Sequence, residues 1–435
     1  MRARLGLSKD TRGAAVVSVL PGSPAAANGI HPDDVVERIG TQSIGNDCDF
    51  ARAAYGLECA PVSVAVRRDG ATFDISLTPV DDLPFLDDAC AQKNATACFR
   101  AAWLRWNRYL GDYRATELFA SACDAGSVEA CAYEGLLLSR DPDRSGEALP
   151  ILERACAGDS GSGCAHLAFL YATGEVVAQD DGRAAEFYRK SCDLGDAQGC
   201  YNAGLAADVG RGIPPEPTRA VADYEEGCAL GSSMACTNLG FLYERGRGVP
   251  QDPERALALY RAGCDGSACV VSNLGACVNI GRAYRDGIGV EKDAARAAEI
   301  FHNACERPEN PNDVDAAENG SRACSLLGGL YLTGDGIEKD LDRGRDLSVR
   351  GCERGDGFGC FNAAVVYAAG SGVDADPTQA AEFFERACDA GDGEGCHEAA
   401  KAYASGSGVA EDPQRAEELE AKACELGFAE ACGNR

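Results

Sequence analysis

The chain has 435 residues, with Lys+Arg 41 against Asp+Glu 69 and a formal net charge of −28. That balance argues against nucleic acid and anionic membrane surfaces as partners, and no stretch approaches the length of a membrane span. The 23 cysteines fall in a paired pattern that implies an oxidising compartment, periplasmic or extracellular. The first residues, MRARLGLSKD, carry no apolar signal core, so the expectation is a truncated start or a removed leader.

Residues 14–20, AAVVSVL, read as a strand followed by the turn PGSPA, and DVVERIG (34–40) reads as a second strand. FARAAYGL (50–57) has helical spacing and follows Asn46 and Asp47, either of which serves as a cap. VSVAVRR and ATFDISLTPV then flank Asp69-Gly70, a hairpin signal. Together these make a small α+β domain. Cys48 and Cys59 bracket the helix, whose length would hold them apart as unpaired thiols.

Leu5-Gly6-Leu7, Gly22-Ser23-Pro24-Ala25, Asn28-Gly29-Ile30, Asp34-Val35-Val36 and Arg68-Asp69-Gly70 occur in the order found in PDZ domains. Residues 1–80 thus resemble a PDZ domain of the bacterial periplasmic-protease type, although Asp33 stands where that family usually has glycine. The resemblance implies that the amides of Leu5, Gly6 and Leu7 receive a peptide C-terminus. The groove would be closed by Phe50, Ala53, Ala54 and Leu57 of the helix. No protease domain accompanies it. TPVDDLPFLDD (78–88) is acidic and contains prolines, and residues 81–88 are expected to form a linker.

From Cys90 onward one frame recurs: cysteine, seven residues, cysteine. It appears at Cys90/Cys98, Cys123/Cys131, Cys156/Cys164, Cys192/Cys200, Cys228/Cys236, Cys352/Cys360, Cys388/Cys396 and Cys424/Cys432. Cys264/Cys277 and Cys305/Cys324 are stretched versions. From Cys164 to Cys424, the first cysteine of each frame lies 28 positions after the second cysteine of the frame before, which gives a repeat period of 36. Cysteines eight apart on one helix would lie about 12 Å apart, and a disulfide needs Cα atoms within roughly 7 Å. Glycines inside the frame (Gly195, Gly231, Gly355, Gly391, Gly427) stop the helix there, so the cysteines face each other across two antiparallel helices. Zinc is the competing assignment, but the chain has no Cys-x-x-Cys and only 4 histidines. Ten disulfides are therefore expected, with Cys264 paired to Cys277 and Cys269 as the rival partner.

After each second cysteine comes helix A, with an apolar-small pair (Leu239-Gly240, Ile280-Gly281, Leu327-Gly328) and then a tyrosine. The tyrosines are Tyr171, Tyr243, Tyr284, Tyr331, Tyr367 and Tyr403, each expected to fill the gap beside the small residue. A Gly-x-Gly-Val turn breaks the helix, and Asp252-Pro253, Asp376-Pro377 and Asp412-Pro413 start helix B as N-cap plus proline. Nine such pairs and a C-terminal cap fill residues 89–435. The insertion Glu306 to Gly320 is expected to be a mobile loop.

Frame, glycine turn and Asp-Pro cap recur together, and in this the array resembles the Sel-one-like repeats, tetratricopeptide relatives, and among them the bacterial cysteine-rich proteins. The fold expected is a small α+β PDZ domain followed by an all-α right-handed solenoid of disulfide-stapled helix pairs. The resemblance implies a non-catalytic scaffold, with a peptide C-terminus in the PDZ groove and a second protein on the solenoid. The alternative implied by the cysteine-rich relatives is a β-lactam-binding or weak β-lactamase-like protein. Against it, the chain lacks Ser-x-x-Lys, Ser-Asp-Asn, Lys-Thr-Gly and Gly-x-Ser-x-Gly elements. His166 and His397 are expected to make local polar contacts, and Asp389, Asp392 and Glu394 lack EF-hand spacing. No cofactor or metal is called for.

Overall fold

A computed structural model describes residues 14–15, 30–31, 34–39, 42–43, 62–68, 71–77, 83–108, 114–264, 273–307 and 314–433. It divides into two compact units, one ending at Ser232 and one beginning at Ser233.

The first unit opens with an antiparallel sheet of β1 (Ala14–Ala15), β2 (Val35–Ile39), β3 (Gln42–Ser43), β4 (Val62–Arg68) and β5 (Ala71–Leu77), in the order β1-β2-β4-β5 with β3 on β2. Arg68 pairs with Ala71, so the strands on either side of Asp69-Gly70 close as a hairpin ladder. Alternation in β4 puts Val64 and Val66 in the core, 3% and 0% exposed, against Val36 and Ile75. Asp34 is buried and accepts both Nε and Nη2 of Arg68, each at 2.6 Å. Burial pushes its carboxyl up, but the Arg68 fork and the His31 amide outweigh that and hold it below the usual value. Two of the PDZ-like motifs, around Asp34 and Arg68, thus meet in one charge-assisted pair.

The rest of this unit is helical: α1 (Leu83–Ala91), α2 (Ala95–Arg108), α3 (Arg114–Asp124), α4 (Val128–Ser139), α5 (Ala148–Ala157), α6 (Gly161–Thr173), α7 (Asp181–Asp193), α8 (Ala197–Val209) and α9 (Pro217–Ala229). The second unit holds α10 (Ser233–Arg245), α11 (Pro253–Cys264), α12 (Leu274–Asp286), α13 (Ala294–Cys305), α14 (Val314–Thr333), α15 (Leu341–Glu353), α16 (Gly357–Ala369), α17 (Pro377–Asp389), α18 (Gly393–Ser405), α19 (Pro413–Glu425) and α20 (Ala429–Cys432). The stretch expected to be a linker is instead the start of α1. Its Pro84 falls in the first turn, where a missing N–H costs nothing, and Leu86 packs on Ala97 and Ala101 of α2. The insertion expected to be a loop is helical from Val314, because its Asp-Ala-Ala-Glu run has good helix formers and acidic residues early in the helix.

Nine staples have normal geometry: Cys90–Cys98, Cys123–Cys131, Cys156–Cys164, Cys192–Cys200, Cys264–Cys277, Cys305–Cys324, Cys352–Cys360, Cys388–Cys396 and Cys424–Cys432. Cys228 and Cys236 are disulfide-bonded as well. Cys48, Cys59 and Cys269 lie outside the described residues. Inside each nine-residue frame the third residue after the first cysteine takes positive φ. Gly195 (φ 81) and Gly391 (φ 87) do so without strain, whereas Lys93 and Asp159, both at φ 62, do not.

In three repeats the glycine of helix A, Gly204, Gly240 or Gly281, receives a ring from helix B, whereas Gly135 meets Leu152 and Gly328 meets Ser348. A Cβ on Gly204 would lie 2.6 Å from the Tyr224 ring, and one on Gly240 would lie 2.7 Å from Tyr260. The tyrosine of helix A therefore does not fill that gap. It lies three residues on, and Tyr171, Tyr243, Tyr284 and Tyr331 are each stacked by a helix-B arginine, Arg183, Arg255, Arg296 and Arg343. The carbonyls of Tyr243, Tyr284, Tyr367 and Tyr403 accept from the amides of Asp252, Asp293, Asp376 and Asp412 at 2.8–2.9 Å. The side chains of those aspartates cap helix B. The first glycine of the turn is the C-cap of helix A. The second makes the contact between repeats: a Cβ on Gly212, Gly289 or Gly408 would collide with the first residue of the preceding helix B, Asp181, Pro253 or Pro377.

Candidate interaction surface

The residues two before, two after and five after the second cysteine of helix A are mostly half-buried or exposed, with Leu136 and Leu326 as buried exceptions. Their spacing of three and four puts them on one face. In the first unit, α2 and α4 carry Phe99, Trp103, Trp106 and Tyr133, with Trp103 and Tyr133 rings 5.1 Å apart and Trp103 and Trp106 rings 5.4 Å apart. Fully buried Phe119 anchors the cluster from below. Burial, helped by Glu129 and Asp196, pushes the Tyr133 hydroxyl up to about 12. Farther along, Phe169 is 47% exposed. It lines a groove of about 330 Å³ with Ser139 and Arg140 of the preceding repeat. In the second unit the same register holds a groove of about 460 Å³ between α14 and α16, flanked by Phe358 and Val365, 42% and 44% exposed.

Neighbouring A helices are tied by side chains at the position two after the cysteine. Asn362 donates to the Ser325 carbonyl at 3.5 Å, and His166 Nδ1 sits 3.2 Å from the Ala132 carbonyl. Burial lowers the His166 pKa, which favours the neutral ring. His397 bonds Glu420 at 2.8 Å. Both histidines therefore make the local polar contacts expected of them. Asp392 caps α18 through the Gly395 amide at 2.8 Å, and Asp389 pairs with Lys422 at 3.1 Å. Cys192, Cys200 and Glu226 are the metal-like cluster among the described residues, but the two sulfurs are bonded to each other.

Glu134 is a departure from the pattern. It is 8% exposed and occupies the position where other repeats place Leu167, Leu239 and Leu327, and its Oε2 has no hydrogen-bond partner. Burial raises its pKa, against the opposing pull of Arg154.

Leu5, Gly6, Leu7, Phe50, Ala53, Ala54 and Leu57, expected to form a peptide groove, lie outside the described residues. The aromatic cluster and the two grooves were not anticipated. Their signal is in the sequence, in the residue types at one register compared between repeats.

The repeat geometry has a counterpart among known families. The Sel1 repeat family model matches residues 161–196, 197–232, 233–267, 275–308, 321–356, 357–392 and 393–428. This chain belongs to the Sel1 repeat family. Sel1 repeats are generally protein-interaction scaffolds and typically non-catalytic. A Sel1 repeat protein from Oxalobacter formigenes is similar at 21% identity and a TM-score of 0.51, over 73% of this chain and 88% of that one. A protective antigen of uropathogenic Escherichia coli strains that displays an SLR fold matches at 21% identity and a TM-score of 0.46, over 81% of each chain. Cysteine rich protein B of Helicobacter pylori is 31% identical over 28% of this chain and 90% of its own, with a TM-score of 0.25. No curated protein matches the chain by sequence. Disulfides in every Sel1 repeat frame indicate an oxidising, extracytoplasmic setting. Among the described residues no helix is long and apolar enough to cross a membrane.

Proposed function

We propose that this Sel1 repeat protein is a non-catalytic adaptor that works in the periplasm or outside the cell and holds a partner protein on the free face of its A helices. The observation that carries this is the recurrence, in each unit, of a groove at the same register flanked by exposed large apolar residues: Phe169 in one, Phe358 and Val365 in the other. The half-buried Trp and Tyr cluster on α2 and α4 adds the residue types that dominate binding energy at protein interfaces. Co-purification from an extracytoplasmic extract tests this. Changing Phe169, Phe358 and Val365 to Ser should release the partner without lowering thermal stability. Unchanged capture would refute it.

A second site is proposed in residues 1–80, where the PDZ-like order of motifs and the antiparallel hairpin support capture of a peptide C-terminus by the amides of Leu5, Gly6 and Leu7. Peptides with free C-termini should bind the full chain, and their amides should not. Gly6→Val should abolish binding, because a Cβ restricts the loop and crowds the carboxylate. Equal binding of acids and amides would end the proposal.

A further inference from the structure

The fifth residue after the second cysteine of helix A lies on the free face, as exposed Phe169 and Val365 show. It is a side-chain-bearing residue in every repeat except one, where α14 has Gly329. A Cβ added there would have ordinary room, its nearest neighbours being Asn362 Nδ2 at 3.6 Å and the Phe358 ring at 3.8 Å. The glycine therefore leaves a notch, and the notch is part of the groove of about 460 Å³. Leu326 and Leu330, 7% and 4% exposed, form its floor. Leu326 stands where Asn202, Asn279 and Asn362 stand in other repeats, so this part of the face is apolar where its neighbours are polar.

One end of the groove is cationic, in a chain of net charge −28. Arg285 and Lys339 line it together with Asp335. Asp335 is held by Lys292 at 2.9 and 3.1 Å, and Arg285 is spent on Asp286 at 2.7 and 2.8 Å. Lys339 has no ion pair among the described residues and is exposed. Of the charged side chains that line the groove, two are thus basic and one acidic, although Glu338 and Asp340 flank Lys339 in the chain, whereas the chain as a whole repels acidic segments.

We propose that this groove is the docking subsite for an acidic linear segment of a partner protein. The segment would insert one bulky apolar side chain into the notch at Gly329 and set a carboxylate against Lys339. This rests on the adaptor function proposed above, and it adds the chemistry of the ligand. A volume of a few hundred cubic ångströms with apolar walls and one polar end is the ordinary form of such a site.

The test uses the oxidised full chain and acetylated hexapeptides carrying one Leu or Phe among Glu residues, read by fluorescence polarisation. Matched sets have Lys for Glu, or Ala for the bulky residue. The Glu peptides with Leu or Phe should bind and both matched sets should not. Gly329→Phe, which fills the notch, should weaken binding roughly tenfold to a hundredfold, and Lys339→Glu should weaken it and reverse the charge preference. Glu382→Gln, on the exposed side of α17, should change nothing. Gly329→Leu provides a second filled notch, and thermal melting shows that both variants fold, since each replaces a helical glycine by a better helix former. Absence of binding, preference for the Lys set, or indifference to both filled notches would overturn the proposal. A partner still captured through Phe169 in Gly329→Phe would leave the adaptor function standing while this subsite falls.

Discussion

The two glycines of each turn have different roles, and alanine substitution separates them. Gly406, the C-cap of α18, has φ 70, and a Cβ there would find its nearest neighbour, Glu411 Cβ, at 3.6 Å. Gly406→Ala should therefore cost only the left-handed strain, about 1–2 kcal/mol. Gly408 has φ 76, and its Cβ would collide with the Pro377 carbonyl and come within 2.6 Å of the Thr378 nitrogen. Those are backbone atoms at the start of α17, one repeat back, and they cannot rotate aside. Overpacking adds roughly 1–3 kcal/mol, so Gly408→Ala should cost about 2–5 kcal/mol in all. Urea unfolding of the oxidised protein gives the totals. Amide exchange at Thr378 and Gln379, whose N–H groups the Asp376 side chain caps, should accelerate in Gly408→Ala and not in Gly406→Ala. Equal destabilisation by the two substitutions, or unchanged exchange in α17, would refute the assignment of the second glycine to the contact between repeats.

Glu134→Leu restores the residue found at Leu167 and Leu239 and should stabilise the first unit by about 1–3 kcal/mol at neutral pH. Because the folded-state pKa of Glu134 is raised, its favourable contribution is complete below the ordinary glutamate value and is lost as pH rises through the folded value. The wild type should therefore lose stability across that rise and the variant should not; parallel pH curves would contradict this. Lys93→Gly and Asp159→Gly each relieve a residue at φ 62, and each should raise the unfolding free energy by about 1 kcal/mol. Peptide mapping without reduction should recover Cys264–Cys277 and Cys305–Cys324, and a Cys269–Cys277 peptide would refute the pairing. A chromogenic β-lactam should show no turnover by the pure protein, and measurable hydrolysis would overturn the non-catalytic account.

What the sequence made legible was whatever repeats locally. The cysteine frames, the Asp-Pro caps and the glycine turns are chemical signals within a few residues, and a period of 36 amplifies them. Even the stretched pairs Cys264–Cys277 and Cys305–Cys324 were readable, because the flanking intervals stayed at 28. Pro84 misled because proline punctuates a linker and opens a helix with equal ease. The helical start of α14 was hidden by weighting the polar insertion as a whole over its Asp-Ala-Ala-Glu run. That Tyr224 and Tyr260, and not the helix-A tyrosines, enter the glycine gaps depends on how helix B is rotated, which periodicity alone does not fix. The notch at Gly329 was visible only as one missing side chain in an aligned register, and a missing group gives no motif.

The adaptor account is tested most directly by site-specific photo-crosslinking in an extracytoplasmic extract. A photoreactive residue would replace Phe169 or Val365 on the A helices, or Glu186 or Glu382 on the exposed side of the B helices α7 and α17. The account predicts discrete protein adducts from Phe169 and Val365 and none from Glu186 and Glu382. Adducts from the B-helix positions alone, or equally from all four, would contradict it.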